Sequence, residues 1–233
     1  MSSTPFVVLG TQRSGTTLLI TLLDSHPDVF CADEIFKLNP SKIHHEEFSY
    51  RNYKDKKIYE FLEYYFKINN TFKAVGFKLM IDQLKVNPEI LEFFKKNNMK
   101  IILVERENTL KIYVSHLIAQ RTNIWAFGSP VKQTRISIDP GSIAAELDSI
   151  NQKKEENRRI SLEFDSLKVI YEKLIAKKEK TVMEILNFLN VNNKVELYSP
   201  LVKINTEELK DIIKNYKEIY GVLKNTKYEK YLY

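Results

Sequence analysis

The sequence predicts a single α/β domain over residues 1–233, with a central, mostly parallel sheet of about five strands flanked by helices. Three observations carry that expectation. Short β-branched runs alternate with longer stretches of helical period, the pattern of a parallel sheet wrapped by helices. The strand runs each carry four or five residues suited to a strand buried on both faces. Hydrophobic residues make up 43% of the 233, enough for one sizeable core, and no internal repeat or low-complexity tract divides it.

In chain order, strands are expected at 6–9, 29–32, 75–79, 101–104 and 160–164. Helices are expected at 16–24, 55–68, 88–97, 109–121, 141–156, 166–177, 180–189 and 206–220. Asn87 before Pro88 reads as a cap followed by a first helical position, and Asp165 before SLKVIYEKLI reads the same way. Thr206, Glu208, Leu209, Ile212 and Ile213 mark a last amphipathic helix. Residues 126–142, with Gly128, Pro130, Pro140 and Gly141, and residues 37–54, with His44 and His45, read as long loops of the kind that form lids or binding surfaces.

Thirty-six Lys and Arg against 30 Asp and Glu leave a charge of +6 that is spread along the chain. That balance suits a small anionic ligand, and no nucleic-acid partner is expected from it. A single cysteine, Cys31, excludes an internal disulfide and supplies no thiolate metal site, so nothing calls for an oxidising compartment. The opening MSSTPFVVLG reads as a strand rather than a secretion signal, and no run reaches the roughly 18–20 apolar residues of a membrane span. A soluble, cytoplasmic protein is expected.

The most informative segment is Val8-Leu9-Gly10-Thr11-Gln12-Arg13-Ser14-Gly15-Thr16-Thr17-Leu18-Leu19, a strand, a tight polar turn and an amphipathic helix. Gly15 lets the backbone approach a ligand, and the N–H groups and positive dipole end of the helix starting near Thr16 favour a phosphate. Gly10 and Gly15 have the spacing of a Walker A loop, but Thr16 stands where that loop carries the lysine that reaches a nucleoside triphosphate. A nucleotide or small-molecule kinase with a degenerate loop is therefore the alternative reading. A non-catalytic nucleotide-binding protein is a third.

The strand, the basic residue at Arg13 and the Ser-Gly-Thr-Thr that follows resemble the 5'-phosphosulfate loop of the sulfotransferase superfamily, closest to the bacterial Stf0-like and related carbohydrate sulfotransferases. The resemblance implies a P-loop NTPase-like sulfotransferase fold. It also implies that Gln12, Arg13, Ser14, Gly15, Thr16 and Thr17 bind the donor 3'-phosphoadenosine 5'-phosphosulfate (PAPS), which leaves as adenosine 3',5'-bisphosphate (PAP). Arg106 follows the strand at 101–104, where open α/β sheets bind ligands, and the nine-residue step to Ser115 lets both side chains face one anion. In the family such an Arg and Ser bind the 3'-phosphate, in an Arg-x-Pro pattern; here Asn108 replaces the proline. Gly76-Phe77-Lys78-Leu79-Met80, ISLEFDSL and LVKINTEELKDIIKNYKEI also resemble family segments, so about two-thirds of the chain is covered, while 37–70 and 122–158 are unmatched.

Sulfuryl transfer to a hydroxyl needs a base for the acceptor proton and cations or donors for the leaving oxygen, and no metal in principle. Glu34, just after a predicted strand, is the expected base, with Asp33 beside it as the other choice. Lys78 is expected to contact the transferring group, and Arg13 to stabilise the leaving oxygen. His26 and His116 are alternative bases; His26 reads first as a turn residue, and the pair His44-His45 as exposed. The acceptor is expected to be a carbohydrate, a glycolipid or a small hydroxylated metabolite, and the protein a monomer or homodimer. Trp125, Phe127, Tyr50 and Tyr53 either stack on a sugar or fill the core.

Overall fold

The computed structural model describes residues 3–37, 45–53, 55–125, 134–201 and 208–233. Its strands are β1 (Thr4–Gly10), β2 (Val29–Ala32), β3 (Ala74–Met80), β4 (Lys100–Glu105) and β5 (Ser166–Ile170). They form one sheet in the order β2-β3-β1-β4-β5, and every pairing is parallel. Parallel neighbours need crossovers, and helices supply them. After β1 comes α1 (Thr16–Asp24); α2 (Ile58–Ile68) leads to β3; α3 (Ile81–Val86) and α4 (Glu89–Lys96) lead to β4; α5 (Thr109–Thr122) and α6 (Ile143–Ser161) lead to β5. The chain continues through α7 (Tyr171–Ala176), α8 (Lys178–Phe188), α9 (Leu209–Ile212) and α10 (Tyr216–Leu223). Among the described residues no helix is long and apolar enough to cross a membrane.

The central strands are buried on both faces, as their apolar runs require. On one face Val7, Leu9, Phe77 and Leu103 pack with α2 and α4 through Phe61, Leu62, Tyr65, Phe93 and Phe94. On the other, Phe6, Val8, Ile102 and Val104 pack with α1 and α8 through Leu19, Leu23, Ile185 and Leu186. A third cluster joins α5 and α6 to α9, α10 and the C-terminal turn. Gly76 is required in β3 because a Cβ there would stand 2.5 Å from the Phe6 ring.

Three expected elements are corrected: the strand at 160–164, the helix at 166–177, whose first five residues are strand, and the single helix at 206–220. Residues 160–164 are not a strand: α6 runs to Ser161, with a turn after it, and the pairing falls on the next segment, Ser166–Ile170. That segment is an edge strand in which Leu167 and Val169 turn to the core while Ser166 and Lys168 are exposed, so it lacks the continuous apolar run of a doubly buried strand. Asp165 accordingly caps no helix; its carbonyl accepts from Ile101 N–H at 2.9 Å and its carboxylate pairs with Lys100 at 2.9 Å.

The single helix expected at 206–220 is broken into α9 and α10, because Ile213 is extended and bridges Ile136. Thr206 lies outside the described residues, as do Lys54 and parts of both long loops, 38–44 and 126–133. Asn87 does not cap α4; its amide donates back to the Gln83 carbonyl at 3.0 Å. The working cap is Asn108, which accepts from Lys111 N–H at 2.9 Å at the start of α5 and donates to the carbonyls of Tyr231 and Tyr233. The side chain in the proline's place thus fixes the turn that the proline's ring would otherwise restrict.

Candidate active site

The site is built at the carboxyl end of the sheet, starting from β1. Gly10, its last residue, pairs with Met80 on one side and Val104 on the other. A Cβ on Gly10 would meet Thr16 Cγ2 at 2.6 Å and the Val104 carbonyl at 2.9 Å, so the turn must begin on a glycine. Ser14 closes it, with its N–H and its hydroxyl both donating to the Thr11 carbonyl, at 3.2 and 2.7 Å. Arg13 (φ 64°) and Gly15 (φ 97°) are left-handed, which turns successive backbone N–H groups inward to form an anion-binding concavity. The first turn of α1 has no side-chain cap and no acidic residue, so its N–H groups stay open to a ligand. Gln12, in the same turn, is exposed.

Two guanidinium groups face this turn. Arg13 Nε donates to Ser115 Oγ at 3.0 Å and Nη1 to the Trp125 carbonyl. Arg106, directly after β4, donates from Nη1 to the Arg13 carbonyl at 3.5 Å and lies over the Tyr171 ring at 4.9 Å; its Nε is buried without a hydrogen-bond partner. Among the described residues neither guanidinium forms an ion pair with a carboxylate. Burial pulls the pKa of both down, and for Arg13 the charge of Arg106 adds to it. Tyr171 and Glu172 offset this only in part for Arg106, and the Glu172 carboxylate is taken up by the Glu107 N–H. Ser115, expected to work with Arg106, is engaged instead by Arg13.

A third group sits on the β2–β3 side. Lys78, opposite Val8 in the sheet, is buried; its ammonium lies 2.5 Å from Asp33 Oδ1 and 3.0 Å from Glu34 Oε1 and donates to Thr17 Oγ1 at 3.1 Å. Burial alone would lower the lysine's pKa, but Asp33 and then Glu34 outweigh it and hold the ammonium charged. Glu34 Oε2 accepts from Gln83 Nε2 at 2.9 Å. Thr17 therefore links the phosphate-type loop to the acidic pair through Lys78.

The histidines divide. His26 is buried, with Nε2 at 2.8 Å from the Asn192 carbonyl and Nδ1 accepting from Asp28 N–H, a structural turn residue. His116, one residue after Ser115, packs against Trp125 at 5.5 Å, and its pKa is lowered first by burial and then by Arg13. His45 is not exposed as expected: Nε2 pairs with Asp24 Oδ2 at 3.0 Å, and the ring lies 4.4 Å from Phe30. Burial pushes its pKa down, but the hydrogen bond and charge of Asp24 outweigh that and raise it. His44 and Phe127 lie outside the described residues. Tyr50 and Tyr53 pack on Phe61 at the edge of the core.

Tyr171 and Gln83 are the residues the sequence reading did not find. Tyr171 stands so close to Gly15 that a Cβ there would come within 2.3 Å of its ring, so ring and glycine fit each other. Its place just beyond a strand's carboxyl end is concealed in the sequence because Ser166–Ile170 also fits the start of a helix. Among the described residues no group of three or more His, Cys, Asp or Glu is placed to hold a metal ion.

An uncapped turn after the central strand, two cations and an acidic pair thus gather at the carboxyl ends of a parallel sheet, where open α/β sheets bind ligands. The sulfotransferase family model matches residues 5–194, and the chain belongs to that family. Among solved structures it is similar to a sulfotransferase from Alicyclobacillus acidocaldarius, at 12% identity and TM-score 0.53, over 96% of this chain and 94% of that one. It is also similar to the sulfotransferase domain from the curacin biosynthetic pathway, at 16% identity and TM-score 0.55, over 91% of this chain and 83% of that one. At these identities the likeness is one of fold. No curated protein matches the chain by sequence.

Proposed function

We propose that this sulfotransferase takes its sulfuryl group from PAPS and places it on the hydroxyl of a carbohydrate, glycolipid or small hydroxylated metabolite. The observation that carries the reading is the pair of half-buried guanidiniums, Arg13 and Arg106, that among the described residues have no carboxylate partner. Buried charge of one sign is unfavourable unless a counter-charge completes it, and here the counter-charge belongs to a ligand. The orphaned Arg106 Nε and the uncapped N–H groups at the start of α1 fit a nucleotide with two separated phosphates. Thr16 in the lysine position argues against a nucleoside triphosphate.

Bound there, PAPS supplies a sulfur activated by its bond to phosphate. The chain's own residues do the rest. Gly15, Thr16 and Thr17 hold the 5' end through backbone and hydroxyl donors, with Ser14 closing the turn behind them on the Thr11 carbonyl, and Arg106 with Ser115 holds the 3' end. Glu34 accepts the proton from the acceptor hydroxyl as the new oxygen–sulfur bond forms and the sulfur–oxygen bond to phosphate breaks. Lys78, anchored between Thr17 and the acidic pair, sets a fixed positive charge between base and donor loop, and Arg13 meets the charge gathering on the leaving oxygen.

Turnover tests the assignment. Release of PAP from PAPS, with water as the acceptor hydroxyl, is expected to fall about 100-fold or more in Glu34→Gln with PAP affinity retained. Near-normal release in that variant would place the base elsewhere.

A further inference from the structure

The two oxygens of the Glu34 carboxylate are held by different neighbours. Oε1 faces the Lys78 ammonium at 3.0 Å, and Oε2 accepts from Gln83 Nε2 at 2.9 Å. The amide of Gln83 is itself fixed, because its Oε1 accepts from the Met80 backbone N–H at 3.1 Å, which leaves only the NH₂ end for Glu34. Met80 ends β3 beside Gly10, so the amide is anchored on the sheet next to the anion-binding turn. Gln83 stands at the third position of α3, where a Gln or Glu side chain that reaches back to the preceding N–H caps the helix. A glutamate would cap as well as a glutamine. Only the glutamine also has a donor to give.

We propose that Gln83 is a positioning residue that aims the Glu34 carboxylate at the acceptor hydroxyl. The inference rests on the reading of Glu34 as the base. The last torsion of a glutamate side chain is broad, so a carboxylate held at one oxygen still swings about that contact. With Lys78 on one oxygen and Gln83 on the other, its plane is fixed at two points. Each oxygen keeps a further lone pair, and one of these can receive the acceptor's proton along a set direction. Capping alone does not require the second contact, and so the choice of glutamine over glutamate is the mark of the positioning role.

The decisive variant is Gln83→Glu, which keeps the cap to Met80 and sets a carboxylate where the donor was. The reaction followed is release of PAP from PAPS in the full chain, with water as acceptor: the water oxygen bonds to sulfur, the sulfur–oxygen bond to phosphate breaks, and the proton goes to Glu34. Gln83→Glu is expected to lose about 10- to 100-fold in turnover, with the chain still folded at the assay temperature and PAP affinity within about twofold of wild type. Wild-type turnover in Gln83→Glu, or a fall in turnover matched by an equal fall in PAP affinity, would overturn the proposal. Glu34→Gln run alongside separates the two claims. If it loses turnover while Gln83→Glu does not, the base stands and only the positioning role fails; if Glu34→Gln keeps turnover, the base assignment fails and the positioning role with it.

Discussion

At the level of one residue, the proposed nucleotide site rests most on Arg106. Its guanidinium is half-buried near that of Arg13, its buried Nε has no partner, and no carboxylate pairs with either group among the described residues. A charge-assisted hydrogen bond to a bound phosphate contributes about 1.5–3 kcal/mol, which is roughly 10- to 100-fold in affinity. Arg106→Ala should therefore weaken PAP binding by about that factor in calorimetric titration. Its ligand-free unfolding temperature should not fall, since the change removes a repulsion. Gly15 makes a different residue-scale demand. An alanine there meets both the unfavourable φ of 97° and the Tyr171 ring, so Gly15→Ala should destabilise the fold by about 3 kcal/mol in denaturant unfolding. In Gly15→Ala/Tyr171→Ala the ring clash is gone and the backbone strain stays, so the double variant should recover only part of that loss.

Arg106 is aimed by the elements behind it. Glu105, the last residue of β4, is buried and takes Arg158 of α6 at 2.5 Å and Lys168 of β5 at 2.9 Å, which ties strand, helix and neighbouring strand together at the site's edge. Burial would raise the Glu105 pKa, but the hydrogen bonds and charges of Arg158 and Lys168 outweigh it and hold it below the ordinary carboxylate value. A carboxyl whose folded pKa is depressed contributes stability above its unfolded value, about 4.3, and that contribution is lost as pH falls through the folded value. Glu105→Gln should cost about 1–2 kcal/mol at neutral pH, a figure reduced because both partners are about half in solvent, and the difference from wild type should shrink as pH drops below 4.3. Unfolding by urea across that range measures both. The same region shows where sequence patterns misled. Central strands declare themselves as unbroken apolar runs, but β5 is an edge strand that alternates, and its SLKVI reads as well for the start of a helix as for a strand. The break at Ile213 was hidden for a related reason: the apolar spacing is helical on both sides, and the pairing with Ile136 is a long-range contact that no local pattern shows.

At the scale of the molecule, one rule placed almost every site residue. Ligands bind open α/β sheets outside the carboxyl ends of their strands. Here Arg13 follows β1, Asp33 and Glu34 follow β2, Lys78 lies near the end of β3, Arg106 follows β4 and Tyr171 follows β5. Five of these six were legible because the strands before them were. Tyr171 was lost with its strand. Gln83 was not legible, because nothing in its neighbourhood marks a helical glutamine as the partner of a glutamate 49 positions away. Nor was the bond from Arg13 to Ser115, which depends on the left-handed turn at residue 13 swinging the side chain toward α5. The order β2-β3-β1-β4-β5 sets the turn after β1 at the centre, the acidic pair to one side and Arg106 to the other, so the proposed base and the proposed nucleotide anchor flank that turn from opposite sides.

The central claim is that these flanks hold a 3',5'-bisphosphate nucleotide. Calorimetric titration of the protein with PAP, and separately with ATP and Mg²⁺, tests it without knowledge of the acceptor. Micromolar binding of PAP, with no measurable heat from ATP and Mg²⁺, is the predicted result. Tight binding of ATP with Mg²⁺ and none of PAP would contradict the account and return the loop at Gly10–Thr17 to the nucleoside triphosphates.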